Sequence, residues 1–147
     1  MKIILEKQFQ DQYIQAWNLE VNRNRKCVIY RVFKDTHCFE KYLTKLNFVE
    51  RRALSKFRTG NHRLPVAKSR YMMQIVDTKC KFCDSNDICD EFHVLFTCKY
   101  FEEKLKLLIR KYYYTRPNTL KCLLFTNTNT KVLKKLAKFT RAIMAEF

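Results

Sequence analysis

Apolar and polar positions along most of this chain follow a period near 3.6, which predicts helices. Residues 4–24 set Phe9, Tyr13, Ala16 and Trp17 on one side with polar residues between them. The run "CVIYRVF" (27–33) is β-branched and aromatic, and fits either a short strand or a buried extended connector. A second helix is predicted over 38–46. The clearest pattern is "NFVERRALSKFRTG" (47–60), where Asn47 can cap and Glu50 stands at the third helical position. Its periodicity turns Phe48, Ala53, Leu54 and Phe57 inward and leaves Arg51, Arg52 and Arg58 on the surface. Gly60 follows where a left-handed cap is needed. "NHRLPVAKSRY" (61–71) reads as a loop.

Beyond Cys98 one long helix is predicted, "KYFEEKLKLLIRKYYY" (99–114), with Phe101, Leu105, Leu108 and Tyr112 at helical spacing. Arg116-Pro117 ends it. The polar "TNTNT" (126–130) offers a cap for a last helix over 131–147. There Val132, Leu136, Ile143 and Phe147 share one face, and Lys131, Lys134, Lys135, Lys138 and Arg141 crowd the other side.

One glycine and two prolines in 147 residues leave few tight hairpins available, so the expected fold is mostly α. The length suits a single domain, divided into a basic helical part (1–71), a metal-site segment (80–98) and C-terminal helices (99–147). Thirty Lys and Arg against fourteen Asp and Glu give a formal charge of +16. That excess implies a polyanionic partner, of which nucleic acid is the commonest. The apolar start Ile3-Ile4-Leu5 is broken at once by Glu6 and Lys7, too short for a signal segment, and nothing approaches a membrane span. Seven cysteines therefore read as reduced thiols and metal ligands, and the expected location is intracellular, nuclear or cytoplasmic.

The stretch "CKFCDSNDICDEFHVLFTC" (80–98) concentrates this chemistry. Cys80-x2-Cys83 lets two thiolates from one turn share a tetrahedral ion. His93 and Cys98 complete a Cys3His set, and one structural zinc ion is the expected cofactor. Four protein ligands leave no open position for catalysis. Asp90 can cap a helix that carries His93 in its first turn. His93 and Cys98 are five apart, about 140° of rotation on a straight helix, so a bend is expected between them. Cys89 is the spare thiol, expected to face solvent beside Asp87, Asp90 and Glu91. A second metal site from His37 and Cys38 with Cys27 or Cys122 lacks supporting spacing.

Arg51, Arg52, Lys56, Arg58, Arg63, Lys68 and Arg70 form a dense basic stretch whose side chains suit phosphate contacts. His62 could touch phosphate or close a turn. In "RKYYYTR" (110–116), Tyr112 and Tyr113 read as core, leaving Tyr114 as the ring available for stacking on bases.

The order of these features resembles the C-terminal region of LINE-type (non-LTR) retrotransposon reverse transcriptases. "LSKFRTGNHRLPVAKSRY" (54–71) is similar to that family's helical segment before its zinc site. "CKFCDSNDICDEFHVLFTCKYFEEKLK" (80–106) resembles the Cys-Cys-His-Cys site itself. The resemblance implies Cys80, Cys83, His93 and Cys98 as zinc ligands and a role in holding element RNA or target DNA. There is no Tyr-x-Asp-Asp polymerase motif, and Glu102, Glu103 and Glu146 are the only acids after Cys98, too few for a nuclease. The expectation is a fragment of such a protein or a small protein derived from one. It would act without catalysis on RNA or single-stranded DNA, with no membrane or small-molecule partner. The alternative is a zinc-stabilised interaction module for an acidic protein.

Overall fold

The computed structural model describes residues 2–72, 77–114 and 122–147. Helix α1 (Lys2–Arg23) is longer than its contacts with the rest of the molecule require. Phe9 and Tyr13, expected inward, are exposed, as are Ile3, Ile4, Leu5 and Leu19. These apolar residues are spread around the circumference, so no single face can be buried. Among the described residues its ring contacts begin at mid-helix: Tyr13 and Trp17 meet His37 edge-on, Trp17 also meets Tyr30, and Val21 is buried.

Residues 28–33 are a short helix, α2 (Val28–Phe33), not a strand. The only bridge among the described residues joins Lys79 to Ile88. A strand at 28–33 would thus lack a partner for its backbone groups, whereas a helical turn pairs them internally. It buries Ile29 and stacks Phe33 on Phe125, with ring centroids 5.2 Å apart. The expected second helix shrinks to one turn, α3 (Tyr42–Lys45). Tyr42 is buried there and shares a 2.8 Å hydrogen bond with Ser55.

Helix α4 (Phe48–Arg58) starts and stops on side-chain chemistry. Glu50 N–H donates to Asn47 Oδ1 at 2.9 Å, and Asn47 N–H donates back to Glu50 Oε2 at 3.2 Å. At the other end Asn61 N–H reaches Lys56 O and Gly60 N–H reaches Phe57 O, the paired closure of a left-handed C-terminus. Gly60 has φ +67°, and a β-carbon there would lie 2.0 Å from the carbonyl oxygen of Lys26. No other residue fits. Ala53, Leu54 and Phe57 are buried as expected, but Phe48 is exposed and Arg58 is buried.

A helix, α5 (Pro65–Met72), replaces the expected loop, with proline at its first position where its missing N–H costs nothing. The long helix expected over 99–114 is interrupted. Helix α6 (Lys99–Leu108) ends where Ile109 turns extended and drops into the core, and α7 (Lys111–Tyr114) follows. Tyr112, expected in the core, is exposed.

A 3-10 turn (Cys122–Thr126) leads to α8 (Thr130–Ala145), capped by Asn129 Oδ1, which accepts from Lys131 N–H at 2.9 Å. Helix α8 packs along α4 and α6 and buries Leu133, Leu136, Ala137, Phe139 and Ile143. Each of the leucine, phenylalanine and isoleucine side chains stabilises the fold by roughly 1.5–3 kcal/mol. Among the described residues no helix is long and apolar enough to cross a membrane.

Candidate metal centre

Backbone bonds shape the described segment, residues 77–98, that leads into α6. Cys80 N–H donates to Asp87 O and Cys89 N–H to Thr78 O, which clamps the ends of a tight loop. Asn86 turns that loop with φ 57°, a value asparagine tolerates better than most residues. Cys80 and Cys83 stand on one side of it. Asp90 Oδ1 accepts from His93 N–H at 2.8 Å and starts the helical turn that carries the imidazole.

The bend expected between His93 and Cys98 takes the form of a π turn (His93–Thr97). Its closing bond runs from Cys98 N–H to His93 O, 2.8 Å. A π turn closes over five residues rather than four, so side chains five apart return to the same side. The result gathers Cys80, Cys83, His93 and Cys98, whose ligand atoms all lie within 4.8 Å of one another. Cys80 Sγ is 3.9 Å from Cys98 Sγ, and Cys83 Sγ is 3.3 Å from His93 Nε2. A tetrahedral ion with metal–sulfur bonds of 2.3 Å needs edges of about 3.8 Å, so this set could close on one.

The imidazole is also oriented for that task. Thr97 Oγ1 donates to the carbonyl of His93 at 3.3 Å, leaving its lone pairs to accept from Nδ1–H at 3.0 Å. Asp87 Oδ2 stands 3.6 Å from the same nitrogen. With Nδ1 protonated, Nε2 presents its lone pair to the three sulfurs, the arrangement expected behind a ligating histidine. Burial pushes the Cys83 thiol up, but hydrogen bonds from Ser85, Cys80 and His93 outweigh it and bring it down to about 6.

Cys89 is the thiol left out, but it does not face solvent. It is fully buried, because the Cys89–Thr78 backbone bond turns its side chain under the loop. Burial first, and then the neighbouring Cys80 sulfur, push its thiol well above the ordinary range. Cys89 stands outside the group of four whose ligand atoms lie within 4.8 Å of one another, and it fills the core as a small buried thiol. The expected outcome for Cys89→Ser is an unchanged one-to-one metal content, checked by elemental mass spectrometry. Loss of the ion in that variant would make Cys89 a ligand.

Directly beneath the cluster lies a group that periodicity did not reveal. Glu91, completely buried, accepts from His62 Nε2–H at 2.8 Å and from both terminal nitrogens of Arg70 at 2.7 and 3.1 Å. Leu64 N–H donates to His62 Nδ1, which places the ring proton on the nitrogen facing Glu91. Burial pushes the Glu91 carboxyl up, but the His62 and Arg70 hydrogen bonds outweigh it and hold it at about 2. His62 and Arg70, expected to meet phosphate, are therefore spent on fastening α5 to the metal loop. The sequence signal was the acid two residues before the ligand histidine.

Arg58 is likewise removed from the expected phosphate contacts. It is 1% exposed, bonded to Glu40 and to the carbonyl of Phe125. Arg51 is half-buried and donates to Leu43 O at 2.8 Å. Arg52, Lys56, Arg63 and Lys68 remain. Lys68 is exposed on α5, while the other three line a cavity of about 310 Å³ between α4 and α8. Arg141 of α8 completes it, and no carboxylate is in its wall. None of these four cations forms an ion pair among the described residues. The side chain of Tyr114 lies outside the described residues, as does the side chain of Cys122. The cations of α6 do not join the cavity: Lys104 pairs with Glu146, and Lys106 with Glu102 and Glu103. Comparison with family models, with curated proteins and with solved structures found no match to this chain.

Proposed function

We propose that this chain is a non-enzymatic nucleic-acid-binding domain, stabilised by one zinc ion at Cys80, Cys83, His93 and Cys98. Three thiolates and an imidazole in a tetrahedron suit zinc by softness and geometry, and four protein ligands leave it no position for a substrate. The observation that carries the binding reading is the convergence of Arg52, Lys56, Arg63 and Arg141 on one acid-free cavity. Cations collected without counterions need an anionic partner, and the formal charge of +16 extends that need beyond one small anion. Phosphodiester groups supply such charge repeatedly along one molecule.

The test is the salt dependence of binding to short RNA and DNA strands, followed by fluorescence anisotropy. Four phosphate contacts on a single strand give a slope of log affinity against log salt of about −3 or steeper. Arg52→Gln with Arg63→Gln is expected to make that slope shallower by about 1.4. Absence of binding at low salt, or binding indifferent to salt, would overturn the proposal. Polyglutamate competing as well as RNA would favour an acidic protein partner instead.

A further inference from the structure

Helix α8 divides cleanly around its axis. At 100° per residue Lys131, Lys134, Lys135, Lys138 and Arg141 fall within about 120°, opposite the arc that Leu133, Leu136, Phe139 and Ile143 bury. All five cations are exposed, and none forms an ion pair among the described residues. The one acid in residues 130–147, Glu146, is held by Lys104. The stripe from Lys131 to Arg141 is about 15 Å long.

Each end of the stripe opens onto a depression lined by cations from other elements. At the N-terminal end Arg110 joins Lys131 and Lys135 around a cavity of about 170 Å³. At the C-terminal end Arg141 meets Arg52, Lys56 and Arg63 at the larger cavity described above. A basic helix face that is merely solvated has no reason to terminate twice in cation-lined hollows. A chain of phosphates laid along it would be held at both ends.

We propose that α8 is the track of the nucleic-acid backbone, running from the Arg110 hollow to the Arg52–Arg63 hollow. This rests on the nucleic-acid reading above and adds to it where the strand lies and what is read. Among residues 131–141 the one aromatic, Phe139, is buried on the opposite arc, so the contact is to phosphate and indifferent to base identity. Oligo-U and oligo-A are therefore expected to bind alike.

The experiment compares two triple variants with equal loss of charge. One removes Lys134, Lys135 and Lys138 as glutamine; the other removes Lys7, Arg23 and Arg25, also exposed but on and beyond α1. Anisotropy titrations across a salt series use oligo-U RNA, oligo-dT and a DNA duplex, with Tm as the check on folding. The α8 variant is expected to lose tenfold or more in affinity and about 2 from the single-strand salt slope, with Tm unchanged. The α1 variant is expected to keep its slope. Equal weakening of both would mean a diffuse charge effect and overturn the track while leaving nucleic-acid binding intact. Failure of the unmodified protein to bind any of the three would instead overturn the underlying reading. Tighter binding of the duplex than of either strand would keep the track and identify its occupant.

Discussion

Cys98→Ser is expected to abolish metal binding and to remove most of the stability of the fold. Serine's hydroxyl does not ionise near neutrality, so the ion would keep three ligands and lose its tetrahedron. Cys98 also occupies a joint: it closes the π turn and begins α6, its carbonyl accepting from Glu102 N–H at 2.8 Å. The ion would therefore tie this joint to the Cys80–Cys83 loop. Beyond the packing of Phe82 on the rings of Tyr100, Phe101 and Phe147 that loop has little else, since residues 84–88 are all exposed. Structural zinc sites contribute on the order of 10 kcal/mol, comparable with the whole stability of a domain. The expected result is no bound zinc and a broad transition, or none, in a thermal melt. Chelation of the unmodified protein should reproduce it. A metal-free protein melting at the original temperature would show that the core formed by α4, α6 and α8 folds unaided, and would remove zinc from the stability argument.

What could be read from sequence was the chemistry that is local along the chain. Asn47 and Glu50 lie three residues apart and cap α4 as their spacing implied. The four candidate metal ligands lie within nineteen residues, and the awkward five-residue step from His93 to Cys98 already required something other than a regular helix. The failures came where distant residues decide. Whether Arg58 faces solvent depends on Glu40 and on Phe125, which is 67 residues away. The partner of His62 and Arg70, Glu91, lies 29 and 21 residues further along the chain, so local spacing gives no sign of it. Cys89 was placed in solvent on the polarity of its neighbours, but a single backbone bond to Thr78 turns it inward. Helix α1 misled for a different reason. Its apolar residues are numerous enough to suggest a core face, but they do not form one. The cations of α8 were visible on a helical projection, yet their meeting with Arg52, Lys56 and Arg63 is a fact of packing alone.

Arg58 offers the second large effect, and it separates a core cation from a binding one. Its guanidinium lies between the rings of Phe33 and Tyr42, 4.3 and 4.6 Å from their centroids. One terminal nitrogen donates to Phe125 O at 2.6 Å and the other to Glu40 Oε2 at 2.8 Å, while Nε finds no partner among the described residues. The side chain thus joins α4 to the 3-10 turn and to the segment before α3. Arg58→Ala would leave a cavity among aromatic rings, free the Phe125 carbonyl and take a charge from Glu40, which keeps Lys34 at 3.3 Å and the Tyr30 hydroxyl at 3.0 Å. Breaking a buried pair costs about 3–5 kcal/mol; with Glu40 partly exposed and still paired, the lower end of that range applies, on the order of 10 °C in Tm. Arg58→Met retains most of the volume and removes the unpartnered Nε, whose burial itself costs about 1–3 kcal/mol, so its loss should be smaller. Both variants, where folded, should leave the proposed nucleic-acid binding at the affinity and salt slope of the original chain, because the guanidinium is buried. Undiminished Tm with weakened binding would place Arg58 outside the core, on the phosphate-contacting side where its sequence neighbours had put it.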